Sequence, residues 1–158
     1  MKTPKNLKTL AIIFLALAFV GFLDATYLTT QHYLGAIPPC VLTEGCSAVL
    51  TSEWSKVFGL PVALLGAVYY LVLLILVVAY LKTGREKFLL TASFMTALGI
   101  ISSIWLVVLQ FFIIKEICFY CMISATTSTA LFVVGLFILV KSRRENQTPK
   151  SFNPSQVT

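Results

Sequence analysis

The chain has 158 residues, 58% of them hydrophobic and only 11% charged, with four cysteines and a formal net charge of +6. A water-soluble domain carries roughly 25% charged residues, so lipid must be the solvent for most of this surface. The positive charge lies in short clusters at the ends of apolar runs, not on a basic face interleaved with aromatics, and this excludes nucleic acid as a partner.

Lys2, Lys5 and Lys8 precede an apolar run from Leu10 to Leu23 that continues past Asp24 to about Leu28. No small-x-small cleavage site follows it and three more apolar runs come later, so it reads as a retained first span, about 9–28, and not as a cleaved leader. From Thr29 to about Val57 the chain is polar enough to leave the membrane. This long loop holds His32, Cys40, Cys46, Ser52 and Trp54. Within it Val49, Leu50, Trp54, Val57 and Phe58 recur at nearly helical spacing, which predicts a short amphipathic helix on the membrane surface with Trp54 at headgroup level.

The second span, about 59–81, opens with Leu60-Pro61, where a proline's missing N–H matters least. Its Ala63, Gly66 and Ala67 form a small-residue face suited to close helix packing. After the basic turn 82–87 comes a third span, about 88–114, long enough to cross with tilt. Lys115-Glu116 and Cys118-Phe119-Tyr120-Cys121 lead into a fourth, about 119–140. The fold class expected is an all-α membrane protein: a four-transmembrane-helix bundle over residues 1–145, with the amphipathic helix in its first outer loop. Residues 146–158 read as a disordered cytoplasmic tail.

Charge sets the expected orientation. Ten of the twelve Lys and Arg lie in the N-terminal tail, the 82–87 turn and the C-terminal tail, leaving Lys56 and Lys115 on the other side. By the positive-inside rule both termini are cytoplasmic and all four cysteines extracytoplasmic, in a multi-pass protein of the cell (inner) membrane. Thiols there are not held reduced, so disulfides are permitted. Four cysteines allow three connectivities. The local pairs Cys40–Cys46 and Cys118–Cys121 would close small loops that stabilise little by chain entropy, and they suit exchangeable bonds better than staples. Cys121 falls in the first turn of the fourth helix, where unpaired N–H groups and the dipole favour a thiolate. A pair in a loop can meet a soluble protein, a pair at the lipid edge can meet a lipid-soluble electron acceptor, and thiol–disulfide exchange would connect them. Inert bridges are the plainer reading. A four-cysteine metal site lacks a polar second shell nearby, so no metal is expected.

The run Cys46-Ser47-Ala48-Val49-Leu50-Thr51-Ser52-Glu53-Trp54, followed by Phe58-Gly59-Leu60-Pro61 and Gly66, resembles the vitamin K epoxide reductase family. Cys40 and the later Cys118-Phe119-Tyr120-Cys121 complete the pattern, and the resemblance covers roughly residues 10–140. It implies a four-helix bundle around a quinone of ubiquinone, menaquinone or vitamin K type, capped by the amphipathic segment. Carried over residue by residue, it implies that Cys121 reacts with quinone and that Cys118 is its partner. It further implies that Cys46 relays through a transient bond to Cys118, and that Cys40 exchanges with a soluble thioredoxin-like (DsbA-like) protein. Vertebrate members carry an Asn early in the second helix and a Tyr four residues after the last cysteine, both linked to holding vitamin K. Here those positions are Val62 and Ala125, which favours the prokaryotic use, reoxidation of a disulfide-forming partner, over epoxide reduction. Some prokaryotic members fuse a thioredoxin-like domain after the bundle. This chain stops at Thr158, so the partner is expected in trans.

The remaining candidates are weighed against plainer roles. Ser52 could order the loop, as the family implies, or be a solvated serine, and Trp54 could cap the pocket or merely anchor at the interface. Asp24, about 24 Å along a helix from Lys8, could serve a proton route or be a hydrated boundary carboxylate. His32 reads as a loop residue. Phe111, Phe112 and Trp105 could line a flat quinone ring, and Ser124 and Thr127 could donate to a quinone carbonyl, although interfacial aromatics and packing hydroxyls explain them too. The function expected is a quinone-dependent thiol oxidoreductase that generates disulfides. The alternatives are a vitamin K epoxide or quinone reductase and a structural membrane subunit with static disulfides. A DsbB-type enzyme fits less well, because it carries its CxxC in the first loop.

Overall fold

A computed structural model describes residues 5–35, 49, 56–57 and 59–147. Four helices dominate: α1 (Lys5–Leu34), α2 (Val62–Thr83), α3 (Glu86–Val108), which continues as a π-helical turn over Leu109–Ile114, and α4 (Phe119–Gln147). Their apolar stretches, Leu7–Leu34, Val62–Thr83, Glu86–Ile114 and Phe119–Arg143, are each long and apolar enough to cross a membrane. Even the shortest, at 22 residues, spans about 33 Å, enough for a hydrocarbon core of about 30 Å. The protein is therefore an all-α, multi-pass membrane protein.

Helix α1 runs past the expected end near Leu28 to Leu34, so His32 sits in its last turn and not in a loop. Of the expected amphipathic helix, residues 50–55 and 58 lie outside the described residues. Lys56–Val57 instead form a strand, β1, paired antiparallel with Leu60–Pro61, β2. Gly59, at φ 81°, supplies the left-handed turn between them. At the other end of α2, Gly84 takes φ 67° and its N–H caps the carbonyl of Tyr80 at 2.7 Å. Residues 146 and 147 of the expected tail continue α4, and 148–158 lie outside the described residues.

Neighbours in the chain pack as neighbours in space: α1 on α2, α2 on α3, α3 on α4, with α4 closing back onto α1. Each helix is apolar all round, so lipid-facing and core-facing sides differ in size, not polarity. On α1 the buried positions Leu7, Ala11, Phe14, Ala18, Gly21 and Ala25 alternate by four and three residues, the seam of a left-handed bundle. Their counterparts Ile12, Phe19 and Leu23 face outward. Because lipid is as apolar as leucine, only close packing favours helix against helix, and small residues allow it.

Two such contacts matter most. A Cβ at Gly21 would overlap the Tyr70 ring, and a Cβ at Gly99 would overlap Tyr69. The half of the bundle holding Leu7, Phe14, Leu73, Val77, Leu89 and Ile138 is filled by apolar side chains. The buried hydroxyls of Ser93 and Thr96 bond within their own helix, Ser93 to the Leu89 carbonyl at 2.9 Å and Thr96 to the Ser93 carbonyl at 2.6 Å, while Ser142 on α4 donates across to Glu86 on α3 at 3.3 Å. Replacing Gly21 by Val should destabilise the bundle by about 1–3 kcal/mol through overpacking against Tyr70. Thermal unfolding in detergent should recover part of that loss when Tyr70→Leu is combined with it, and additive losses would show that the two residues do not meet.

Candidate active site: a dithiol at the mouth of an intramembrane cavity

The other half of the bundle is hollow. A cavity of about 740 Å³ lies between the ends of α1 and α3 and the starts of α2 and α4, within the size range of sites for small organic ligands. Apolar side chains such as Leu98, Ile101, Leu106 and Leu109 make most of its wall. Polar groups enter it from Asp24 and His32 on α1, Tyr69 and Tyr70 on α2, Gln110 on the π-helical turn, and Ser124 on α4. Cys121 also lines it. An apolar slot with a few convergent polar groups and one sulfur suits a flat, lipid-soluble ring carrying carbonyl oxygens.

The dithiol is placed by the way α3 ends. The π-helical turn finishes at Lys115, which adopts φ 56°, the one left-handed non-glycine among the described residues. The chain turns there, runs without helix through Cys118, and enters α4 at Phe119. Gln110, 2% exposed, fastens the turn: its Oε1 accepts the Cys118 amide at 2.9 Å. The Cys118 carbonyl in turn accepts the Met122 amide at 3.1 Å, closing the first turn of α4. The Gln110→Leu substitution would strip the Cys118 amide of its partner in a buried place, a loss of about 1–3 kcal/mol. Hydrogen exchange at that amide should quicken by roughly ten- to a hundredfold, while Gln110→Glu, which keeps an acceptor, should not reproduce the effect.

Cys118 is 0% exposed and Cys121 is half-buried, and both are free thiols. They have distinct surroundings. Cys118 packs against Val49, a first-loop residue three positions after Cys46, with Ile114 and Tyr120 around it. Cys121 faces the cavity. The Cys121 thiol donates a hydrogen bond to Cys118, the largest influence on that sulfur. The backbone N–H groups of Tyr120 and Cys121 donate as well, while burial and the Asp24 charge oppose them. The balance brings the Cys118 thiol from 9.0 down to about 7. From the sequence alone, its place in the first turn of α4 favours Cys121 as the thiolate. The helix start favours the preceding residue instead, because the free N–H groups point back at Cys118. In reduced protein the thiolate absorbance should therefore rise with a midpoint near pH 7, neutral thiol below it and thiolate above. Cys121→Ala removes the donor, and the midpoint should climb toward that of an ordinary thiol.

The other expected site residues divide. Cys40, Cys46, Ser52 and Trp54 lie outside the described residues. Ser124 lines the cavity, with its hydroxyl 3.4 Å from Tyr70 Oη, which also meets Ser128 Oγ at 2.9 Å. Thr127 gives its hydroxyl to the Ile123 carbonyl of its own helix. Trp105 borders the cavity although most of its ring faces outward. Phe111 and Phe112 do not line the cavity; Phe112 is 76% exposed, and both face the lipid side of the π-helical turn. Val62 and Ala125 both do line it. Gln110, Tyr69 and Tyr70 were missed by sequence reasoning. A buried glutamine in an apolar span eight residues before a cysteine was the available signal for the first of them. Among the described residues no three His, Cys, Asp or Glu side chains converge as a metal site would require.

A four-helix membrane bundle with a hydrogen-bonded cysteine pair opening onto an apolar cavity is the frame of a membrane thiol oxidoreductase. The model of the vitamin K epoxide reductase family matches residues 12–136. The chain belongs to that family of oxidoreductases. It is also 32% identical over 123 residues to Thiol-disulfide oxidoreductase LTO1 of Arabidopsis thaliana, an alignment covering 72% of this chain and 32% of that protein. The chain thus spans about a third of the length of the plant relative.

Proposed function

We propose that the protein is a quinone-dependent thiol oxidoreductase that generates disulfides. Electrons pass from a soluble thioredoxin-like (DsbA-like) protein to Cys40–Cys46, then to Cys118–Cys121, and finally to a membrane quinone of ubiquinone, menaquinone or vitamin K type. The observation that carries this reading is the two-sided placement of the CxxC pair: Cys121 faces the cavity while Cys118 packs against first-loop Val49. Charge asymmetry supports an orientation with both termini cytoplasmic and the dithiol end outside, in the cell inner membrane.

A quinone in the cavity would supply an acceptor for two electrons and two protons. The protein's own part is to hold the ring near Cys121 with the apolar wall, to keep water out, and to bring the two sulfurs together. Cys118, ionised near neutral pH, contributes the sulfur that bonds to Cys121 as the Cys121 S–H bond breaks and two electrons leave the pair for the quinone. Cys46, three residues before Val49 in the chain, then exchanges with Cys118 and leaves Cys121 as a thiol. Cys40 displaces Cys118 from Cys46, and the loop disulfide is restored for the soluble partner. Val62 and Ala125, which line the cavity, stand where vertebrate members of the family carry the Asn and Tyr linked to holding vitamin K, and that departure supports a quinone over an epoxide as the acceptor.

Purified protein should reduce quinone at the expense of a reduced thioredoxin-like substrate, and Cys121→Ala should stop it. The Cys40→Ala variant should accumulate a Cys46–Cys118 bond, visible by mass spectrometry of trapped peptides. Quinone left untouched with all four cysteines locked would establish static bridges instead, and a Cys46→Ala variant passing electrons at the normal rate would remove Cys46 from the relay.

A further inference from the structure

Oxidation of a dithiol by a quinone moves two protons as well as two electrons, and the cysteines by themselves give the protons no route across an apolar cavity. Asp24 stands on α1 inside a membrane-spanning stretch and lines the same cavity as Cys121. Its Oδ2 is shut off from solvent and, among the described residues, accepts no hydrogen bond. Buried polar atoms are ordinarily paired, and a carboxyl within a membrane span is expensive to keep unless it has a task.

Helix packing does not supply that task. The nearby hydroxyls are engaged elsewhere: Thr29 on the Ala25 carbonyl, Thr30 on Thr26, Tyr69 on Met95 and Tyr70 on Ser124 and Ser128. The Asp24 charge is nevertheless felt at the dithiol, where it opposes ionisation of Cys118. The other titratable groups around it are His32 and Tyr27 on α1, Tyr69 and Tyr70 on α2, and Cys121 and Tyr120 on α4 with Cys118 before them. The α3 wall adds neutral groups only, Ser102, Ser103 and Gln110 among them.

We infer that Asp24 is the proton-transfer group of the site: its Oδ2 takes the proton of the Cys121 thiol as the Cys118–Cys121 disulfide forms and returns it to a quinone oxygen. The inference rests on the dithiol-to-quinone reading above. In balance, the Cys121 S–H bond breaks, the Sγ–Sγ bond forms, and two electrons leave the sulfurs for the quinone. The resulting hydroquinone takes one proton through Asp24 and one from water, which replaces the proton released when Cys118 ionised.

The test compares wild type, Asp24→Asn and Asp24→Glu in lipid nanodiscs, with two readouts. The first is the thiolate absorbance of the reduced, quinone-free protein against pH; the second is the rate of reduction of a short-chain quinone. Asp24→Asn should lower the Cys118 midpoint, because an opposing charge is gone, and yet slow quinone reduction by about a hundredfold or more. Asp24→Glu should stay within about tenfold of wild type. More thiolate with slower turnover is a combination that neither a bystander charge nor a merely structural residue produces. An unmoved midpoint would put Asp24 too far from the dithiol, and an unchanged or faster rate would make it a spectator. A Glu variant as slow as Asn would tie the loss to shape. Each of these outcomes overturns the inference. Should Asp24→Asn fail to fold, wild-type dithiol oxidation must still be slowed in deuterated water, and indifference to deuterium overturns it equally. If the wild type reduces no quinone at all, the reading of the function fails first, and that result is distinct from the others.

Discussion

The hydrogen bond from the Cys118 amide to Gln110 is the contact on which the site depends. An amide buried among apolar side chains must find an acceptor, and no carbonyl of a regular helix is available to it, since Cys118 lies between two helices. Gln110 reaches back from the π-helical turn, eight residues earlier, and supplies one at 2.9 Å. The wider turn of a π-helix gives a long side chain the room to do this without leaving α3, which is consistent with such turns marking functional places. Everything after it inherits that placement: the start of α4, the direction of its free N–H groups, and the assignment of one sulfur to the cavity and the other to the loop.

The hollow beside the dithiol is a consequence of how the bundle packs, not a defect in it. Close approach of helices in lipid requires small residues, and α1 supplies them at Ala11, Ala18, Gly21 and Ala25. Into the glycine notches go two tyrosines, Tyr70 over Gly21 and Tyr69 over Gly99. Each is anchored by its hydroxyl, Tyr70 on α4 and Tyr69 on the Met95 carbonyl of α3. The pair meets edge to face, with ring centroids 5.2 Å apart. They line the cavity and stand at the border of the filled half, which holds them rigid while the space beyond stays open. A cavity walled this way keeps its shape without a ligand, so a ring entering it need not first reorganise the protein.

The number and type of the long elements were legible because lipid demands long apolar runs and nothing soluble resembles them. The Cys118–Cys121 dithiol was legible from its spacing, which sets both sulfurs at one helix start. What escaped was whatever depends on one helix meeting another. Gln110 looks like a stray polar residue until the chain is seen folding back over it. Phe111 and Phe112 look like quinone contacts until the π-helical turn shows them facing outward. Tyr69 and Tyr70 carry no motif at all, since their meaning comes from glycines on two other helices. The first-turn rule for anions failed at Cys121 for a geometric reason: the N–H groups that stabilise an anion belong to the first residues of the helix but are directed at the residue before them.

That shift of the thiolate from Cys121 to Cys118 also gives the proposed relay a direction. In thiol–disulfide exchange the sulfur with the lower pKa leaves more readily. Once Cys46 is bonded to Cys118, attack by Cys40 on Cys46 expels Cys118, the sulfur that the start of α4 and the Cys121 thiol both stabilise as an anion. The released thiolate is then already beside Cys121, with the cavity on the far side, so it is poised for the next oxidation. In that proposed relay, hydrogen bonding from Cys121 makes Cys118 a good leaving group toward the loop.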